Sequence, residues 1–207
     1  MKQTIIFDLD GTLVDIEPLF LRIFNSLAPE FGYAQILPEE IPTLKKFSLR
    51  KLLFKHLGWR VFLFPLIIRR GREEYHKHIP DVVLFESIPA LFDALQTHDY
   101  RIGIVSSSRE DTLRSLIARH SLTVDFIYQS GLFNKAATLK KVLLKENLSK
   151  DDVIYVGDEV RDVEACRQAG ISIIAVTWGL NSKEALQEAG ADTVDTREAL
   201  LEKILTA

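Results

Sequence analysis

The stretch that decides the fold is "IIFDLDGTLVD", Ile5 to Asp15. An apolar run of strand-forming residues ends in two carboxylates, Asp8 and Asp10, followed by Gly11 and Thr12. Like charges at the end of a buried strand are costly unless something binds there. In an open parallel sheet, ligands sit at the carboxyl ends of the strands. The stretch therefore reads as a first strand, 4–10, that delivers acidic groups to a pocket.

Further along, short β-rich runs alternate with helical patterns, the signature of a parallel α/β sheet. The expected strands are 101–108 ("RIGIVSSS"), 125–130, 152–158 ("DVIYVGD") and 171–179. Several are nearly continuous apolar runs, as strands covered on both faces should be. Helical periodicity fills 109–119, 136–147 and 159–169, with Gly170 as a stop. Ser182 and Thr196 are placed to cap two more helices, "KEALQEAG" and "REALLEKIL".

Residues 15–82 break this rhythm and read as helices only, "EPLFLRIFNSLAPEF", "PTLKKFSLRKLLFKHLG" and "WRVFLFPLIIRRGREEYHKHI". The expected organisation is a discontinuous α/β core, 1–14 and 83–207, with an inserted helical cap, 15–82. Residues 41–80 carry a net charge of +8 in a chain whose total is −3, so the rest carries −11. Any of Lys45, Lys46, Arg50, Lys51, Arg69, Arg70 or Arg72 is a candidate to face the pocket and select an anionic substrate. The run "VFLFPLII" (61–68) is far short of the roughly 20 residues of a membrane span and reads as a buried helix segment. Neither a membrane nor a nucleic acid is an expected partner. One cysteine, Cys166, excludes an intrachain disulfide and fits a reducing, cytoplasmic setting. The oligomeric state, monomer or homodimer, is left open.

The chemistry can be assembled from residue types. Asp8, Asp10, Asp158 and Asp162 converge and repel unless a hard cation neutralises them, and oxygen ligands of this kind suit Mg²⁺. Lys135 beside them suits charge developing on a phosphoryl group. Ser106 and Ser107, at the second strand's end before a helix, suit phosphate oxygens. A carboxylate nucleophile attacking phosphorus gives an aspartyl phosphate.

Together, "DLDGT" at 8–12, "IVSS" at 104–107, Lys135 in "LFNK" and "GDEVRD" at 157–162 resemble the four ordered motifs of the haloacid dehalogenase-like hydrolases. Asp-x-Asp-Gly-Thr alone would arise by chance in about one chain of this length per thousand. The overall pattern resembles the phosphoglycolate phosphatase branch, with a helical cap inserted after the first motif. The resemblance implies a Rossmann-like core and a Mg²⁺-dependent phosphatase acting on a small-molecule phosphate ester. It implies Asp8 as nucleophile and metal ligand. Asp10 becomes the general acid and base, its backbone carbonyl a metal ligand. Gly11 and Thr12 shape the turn, and Ser106 with the Ser107 backbone holds the phosphoryl group. Lys135 balances charge, Asp158 ligates the metal, and Asp162 and Glu159 support the site. Departures at "FESIPAL" (85–91) and "NKAAT" (134–138) leave phosphoglycolate as one candidate among organic and sugar phosphates. A phosphomutase using the same Asp8 and Asp10, and a non-catalytic binding module retaining the fold, are the alternatives.

Overall fold

A computed structural model describes residues 3–207, apart from the side chains of Leu49 and Arg50. Six strands form one sheet: β1 (Thr4–Phe7), β2 (Arg101–Ser106), β3 (Phe126–Gln129), β4 (Val153–Gly157), β5 (Ser172–Val176) and β6 (Asp192–Val194). Their order is β3-β2-β1-β4-β5-β6, every pair parallel. β1 lies in the middle, with Ile5 opposite both Ile102 and Ile154. The order reverses between β1 and β4, which opens a crevice at their carboxyl ends. The strands end earlier than expected: β1 stops at Phe7, so Asp8 and Asp10 lie in the loop that follows.

Among the described residues, ten helices accompany the sheet. Four fall between β1 and β2: α1 (Glu17–Phe31), α2 (Ile41–Leu44), α3 (Leu49–Leu57) and α4 (Phe64–Lys77). The others are α5 (Ile88–Thr97), α6 (Glu110–Arg119), α7 (Lys135–Lys145), α8 (Val160–Ala169), α9 (Lys183–Glu188) and α10 (Arg197–Leu205). Alternation along β1 distributes the core. Ile5 and Phe7 point to one face, against apolar residues of α5, α6 and α10, while Ile6 points to the other, against α7 and α8. Ser182 and Thr196 cap α9 and α10 as expected, accepting from Ala185 N and Ala199 N.

Two elements lie outside the expected set. β6 is three residues at the sheet edge, too short for an alternation to register. α5 carries Ile88, Leu91, Phe92 and Leu95 at helical spacing, a readable signal that the proline-containing "FESIPAL" obscured.

Among the described residues, 15–82 hold no strand, and their helices share an apolar cluster of their own around Phe24, Leu27, Leu53, Leu57 and Ile67. Two expected helices are each broken. α2 and α3 are separated at 45–48, and "VFLFPLII" begins as a 3₁₀ turn before α4. That run is not a buried segment. Only Ile67 is buried, and Phe62 is 63% exposed, because the 3₁₀ turn faces outward. No helix among the described residues is long and apolar enough to cross a membrane.

Candidate active site

The loops after β1, β2, β3 and β4 converge at the crevice. Asp8 is 1% exposed and is anchored by its own N–H, which donates to Val156 O at 2.9 Å. Its Oδ1 accepts from Leu9 N at 2.8 Å, and its Oδ2 from Lys135 Nζ at 2.7 Å. Lys135, the first residue of α7, also donates to Asp162 Oδ1 at 2.5 Å. Burial alone would push the lysine down, but the Asp162 and Asp8 charges outweigh it and hold the ammonium protonated.

Asp158 follows β4 and is fully buried. It accepts from Thr12 Oγ1 at 2.8 Å and from Leu180 N at 2.8 Å. Glycines make its seat. Gly11 has φ +80°, and a Cβ there would stand 2.1 Å from Asp158 Oδ2. A Cβ on Gly179 would meet the rigid Asp158 Cβ at 2.4 Å. Gly11 is thus needed twice, for its left-handed backbone and for the space it leaves.

Ligand oxygens of Asp8, Asp158 and Asp162 all lie within 4.8 Å of one another. Burial, together with the charges of Glu159, Asp162 and Asp8, pushes the Asp158 carboxyl well above its usual range. Asp162 is pushed up to about 6 by burial, against the pull of Lys135. Lys135 and Arg161 are too few cations for this many buried carboxylates. An all-oxygen donor set with excess negative charge fits a hard divalent cation such as Mg²⁺. The cluster brings in Asp162, expected only as a supporting residue, beside Asp8 and Asp158.

Asp10 lies apart from this cluster. Its Oδ1 accepts from Tyr75 OH at 2.8 Å, and its Oδ2 from Ser108 Oγ at 2.5 Å. Among the described residues it makes no ion pair. Burial, with a smaller contribution from the Asp8 charge, raises its carboxyl to about 6, although the Ser108 and Tyr75 hydroxyls oppose the rise. Ser106 is fully buried at the end of β2, and its Oγ accepts from Ser108 N at 3.2 Å. Ser107 presents its carbonyl to Arg72, 3.0 Å away. Glu159 pairs with Arg161, and Asp162 Oδ2 accepts from Glu159 N at 3.3 Å at the start of α8.

Two residues escaped the sequence reading. Ser108 was legible only as a neighbour of Ser106. Tyr75, 65 residues away on α4, had no local signal at all. Among the basic candidates, Lys45 and Arg72 line the cavity above Asp10. Arg69 and Arg70 pair with Glu73 near the surface, and Lys51 lies over the Phe47 ring. Asn181 joins the helical unit to the core, donating to Lys45 O at 3.0 Å and Phe47 O at 2.9 Å, beside Ser182 N, which donates to Lys45 O at 2.8 Å.

This fold and this ordered set of groups occur together in a known family. Residues 5–176 match the haloacid dehalogenase-like hydrolases. The chain is 33% identical to a phosphoglycolate phosphatase of Synechococcus elongatus, over 98% of this chain and 97% of the other. It is 28% identical to pyrophosphatase PpaX of Listeria innocua, over 89% and 88% of the two chains. A crystal structure of a "predicted phosphatase" from Clostridium acetobutylicum superposes with a TM-score of 0.85 at 23% identity, covering 100% of both chains. The chain belongs to the haloacid dehalogenase-like hydrolase family. The enzyme class expected from its motifs, a phosphatase of that family, stands.

Proposed function

We propose that this phosphatase is Mg²⁺-dependent and hydrolyses a small organic phosphate monoester through an aspartyl phosphate on Asp8. The observation that carries the reading is the contrast between two carboxylates two residues apart. Asp8 is buried and paired with Lys135. Asp10 has hydroxyl partners and a carboxyl raised to about 6, in the range an acid/base needs near neutral pH.

In the first half-reaction an Asp8 carboxylate oxygen attacks phosphorus and the bond to the alcohol oxygen breaks. Asp10 gives that oxygen its proton. In the second, water attacks the phosphorus, Asp10 takes a proton back, and the bond to Asp8 breaks to release phosphate. Ser106 Oγ accepts from Ser108 N, which leaves its own proton for a phosphoryl oxygen. The Ser107 backbone supports the same group, and Lys135 offsets charge between it and Asp8. Mg²⁺, held by Asp8, Asp158, the Asp10 carbonyl and the supporting Asp162, would neutralise phosphoryl charge. Residues 15–82 act as a cap that excludes water, a role supported by the Tyr75 contact to Asp10.

The relative named a phosphoglycolate phosphatase supports a small monoester as substrate class. The test is phosphate release from a panel of esters with Mg²⁺ and with EDTA. Hydrolysis that depends on Mg²⁺ and disappears in Asp8→Asn is expected. EDTA-resistant hydrolysis, or an active Asp8→Asn free of deamidation, would refute the mechanism.

A further inference from the structure

A cavity of about 270 Å³ begins at Asp10 and Ser108 and runs upward among the helices of residues 15–82. Its walls are overwhelmingly apolar, with Phe20, Leu27, Leu53, Leu57 and Ile67 among them. Close-packed interiors contain few voids larger than a water molecule, since a void forfeits contacts on every side. A chamber of this size and lining, open on one side, suits an apolar occupant.

Most of the few cations on its wall are already paired with carboxylates. Lys45 pairs with Glu17 and donates to Gly179 O at 3.0 Å. Arg72 donates to Ser107 O, Arg109 pairs with Asp111, and Arg161 spends both terminal nitrogens on Glu159 and Leu132 O. Lys45, Arg109 and Arg161 thus hold carboxylates already, which leaves Arg72, bonded to a neutral carbonyl, as the wall cation with charge to spare, and the rest of the wall offers a substrate carboxylate little. An alkyl or aryl group would displace only water.

A second observation concerns Gly71, in the middle of α4 and on the chamber wall. A mid-helix glycine costs about 1 kcal/mol relative to alanine. Its backbone does not need glycine, because its φ is outside the left-handed region and an added Cβ would meet only Ile23 Cγ2, at 3.9 Å. What glycine supplies here is open space one turn before Tyr75, the residue that touches Asp10.

Resting on the phosphatase reading above, we infer that the alcohol portion of the substrate is a bulky apolar group, housed in this chamber with its phosphoryl end at Asp8. The preferred substrate class is then a phosphate monoester of a medium-length alkyl or comparable aryl alcohol, rather than of a short hydroxy acid.

The experiment measures kcat/KM with Mg²⁺ for methyl, propyl, hexyl and octyl phosphate and for 2-phosphoglycolate. Burying each methylene should raise kcat/KM about fourfold until the chamber is filled. Hexyl phosphate should exceed 2-phosphoglycolate. Gly71→Leu fills the chamber and should lower the hexyl-to-methyl ratio at least tenfold. Gly71→Ala, which makes only an ordinary contact, should lower it less and serves if the leucine variant does not fold. Hydrolysis that is flat or falling with chain length, a preference for 2-phosphoglycolate, or a ratio unchanged by both variants would overturn the assignment. No Mg²⁺-dependent hydrolysis of any ester would overturn the phosphatase reading, and the assignment with it.

Discussion

Lys135→Met tests the charge balance of the site. The substitution keeps an unbranched apolar stem and removes one ammonium that is 4% exposed and bonded to Asp8 and Asp162. It leaves two buried carboxylates without their shared partner. Removing one side of a buried ion pair costs about 3–5 kcal/mol. For a chain of this size each kcal/mol moves the Tm by about 2–4 °C, so the metal-free variant should melt about 6–20 °C lower at pH 7.5. The loss should be pH-dependent. Asp162 already sits at about 6 in the fold, above its ordinary value of 3.8, so protonation favours the folded state. Without Lys135 its carboxyl moves higher still, and the variant regains stability as pH falls through that raised value. Thermal denaturation in EDTA at pH 7.5 and 5.5 reads both effects, and the gap to the parent should shrink by more than half at the lower pH. A variant that melts with the parent at both values would show that Lys135 does not neutralise the acidic cluster.

Three further outcomes follow from the site. Asp8→Asn should abolish phosphate release while the Tm stays within a few degrees, measured alongside mass spectrometry to exclude deamidation. Asp158→Asn keeps the shape that Thr12 and Leu180 hold but removes a charge that burial disfavours. Its metal-free Tm at neutral pH should equal or exceed the parent's, and added Mg²⁺ should raise the parent's Tm only; a lower metal-free Tm would mean that the charge itself is structural. Ser108→Ala and Tyr75→Phe each remove a donor that favours ionised Asp10. The limb of the pH–rate profile that falls as Asp10 loses its proton should move above about 6 by roughly one unit, more for Ser108→Ala. An unmoved limb would take Asp10 out of the acid role.

The core was legible because its signals are local. Apolar runs that end in Asp8, Ser106 and Asp158 mark both the strand and its carboxyl end, and a parallel sheet brings such ends together whatever lies between them. Lys135 was readable for the same reason, as the residue that opens a helix after a strand. Tyr75 was not, because its contact with Asp10 depends on how α4 leans over the sheet, which no periodicity encodes. The failure at 61–68 has a similar cause. Hydrophobicity there predicted burial, but a 3₁₀ turn with three residues per turn spreads its side chains around the axis and sends Phe62 outward. Asp162 was read as a supporting acid because sequence spacing places it four residues from Asp158 without saying how closely the two carboxylates approach.

The attachment of residues 45–47 to the core has a bearing on engineering. Asn181 and the Ser182 N–H grip the carbonyls of Lys45 and Phe47, groups that every amino acid possesses. On the gripped segment the Phe47 side chain can therefore be exchanged without loosening these bonds, whereas Lys45, whose ammonium also donates to Gly179 O, and the single amide of Asn181 cannot. Its Oδ1 also accepts from Val160 N at the first turn of α8, next to the acidic cluster. Helical units transplanted from relatives onto this core should seat in register as long as the recipient keeps Asn181. Libraries that vary residues 41–75 while keeping Lys45, Arg72, Tyr75 and the buried apolar cluster can be screened for altered selectivity without first being rescued for assembly.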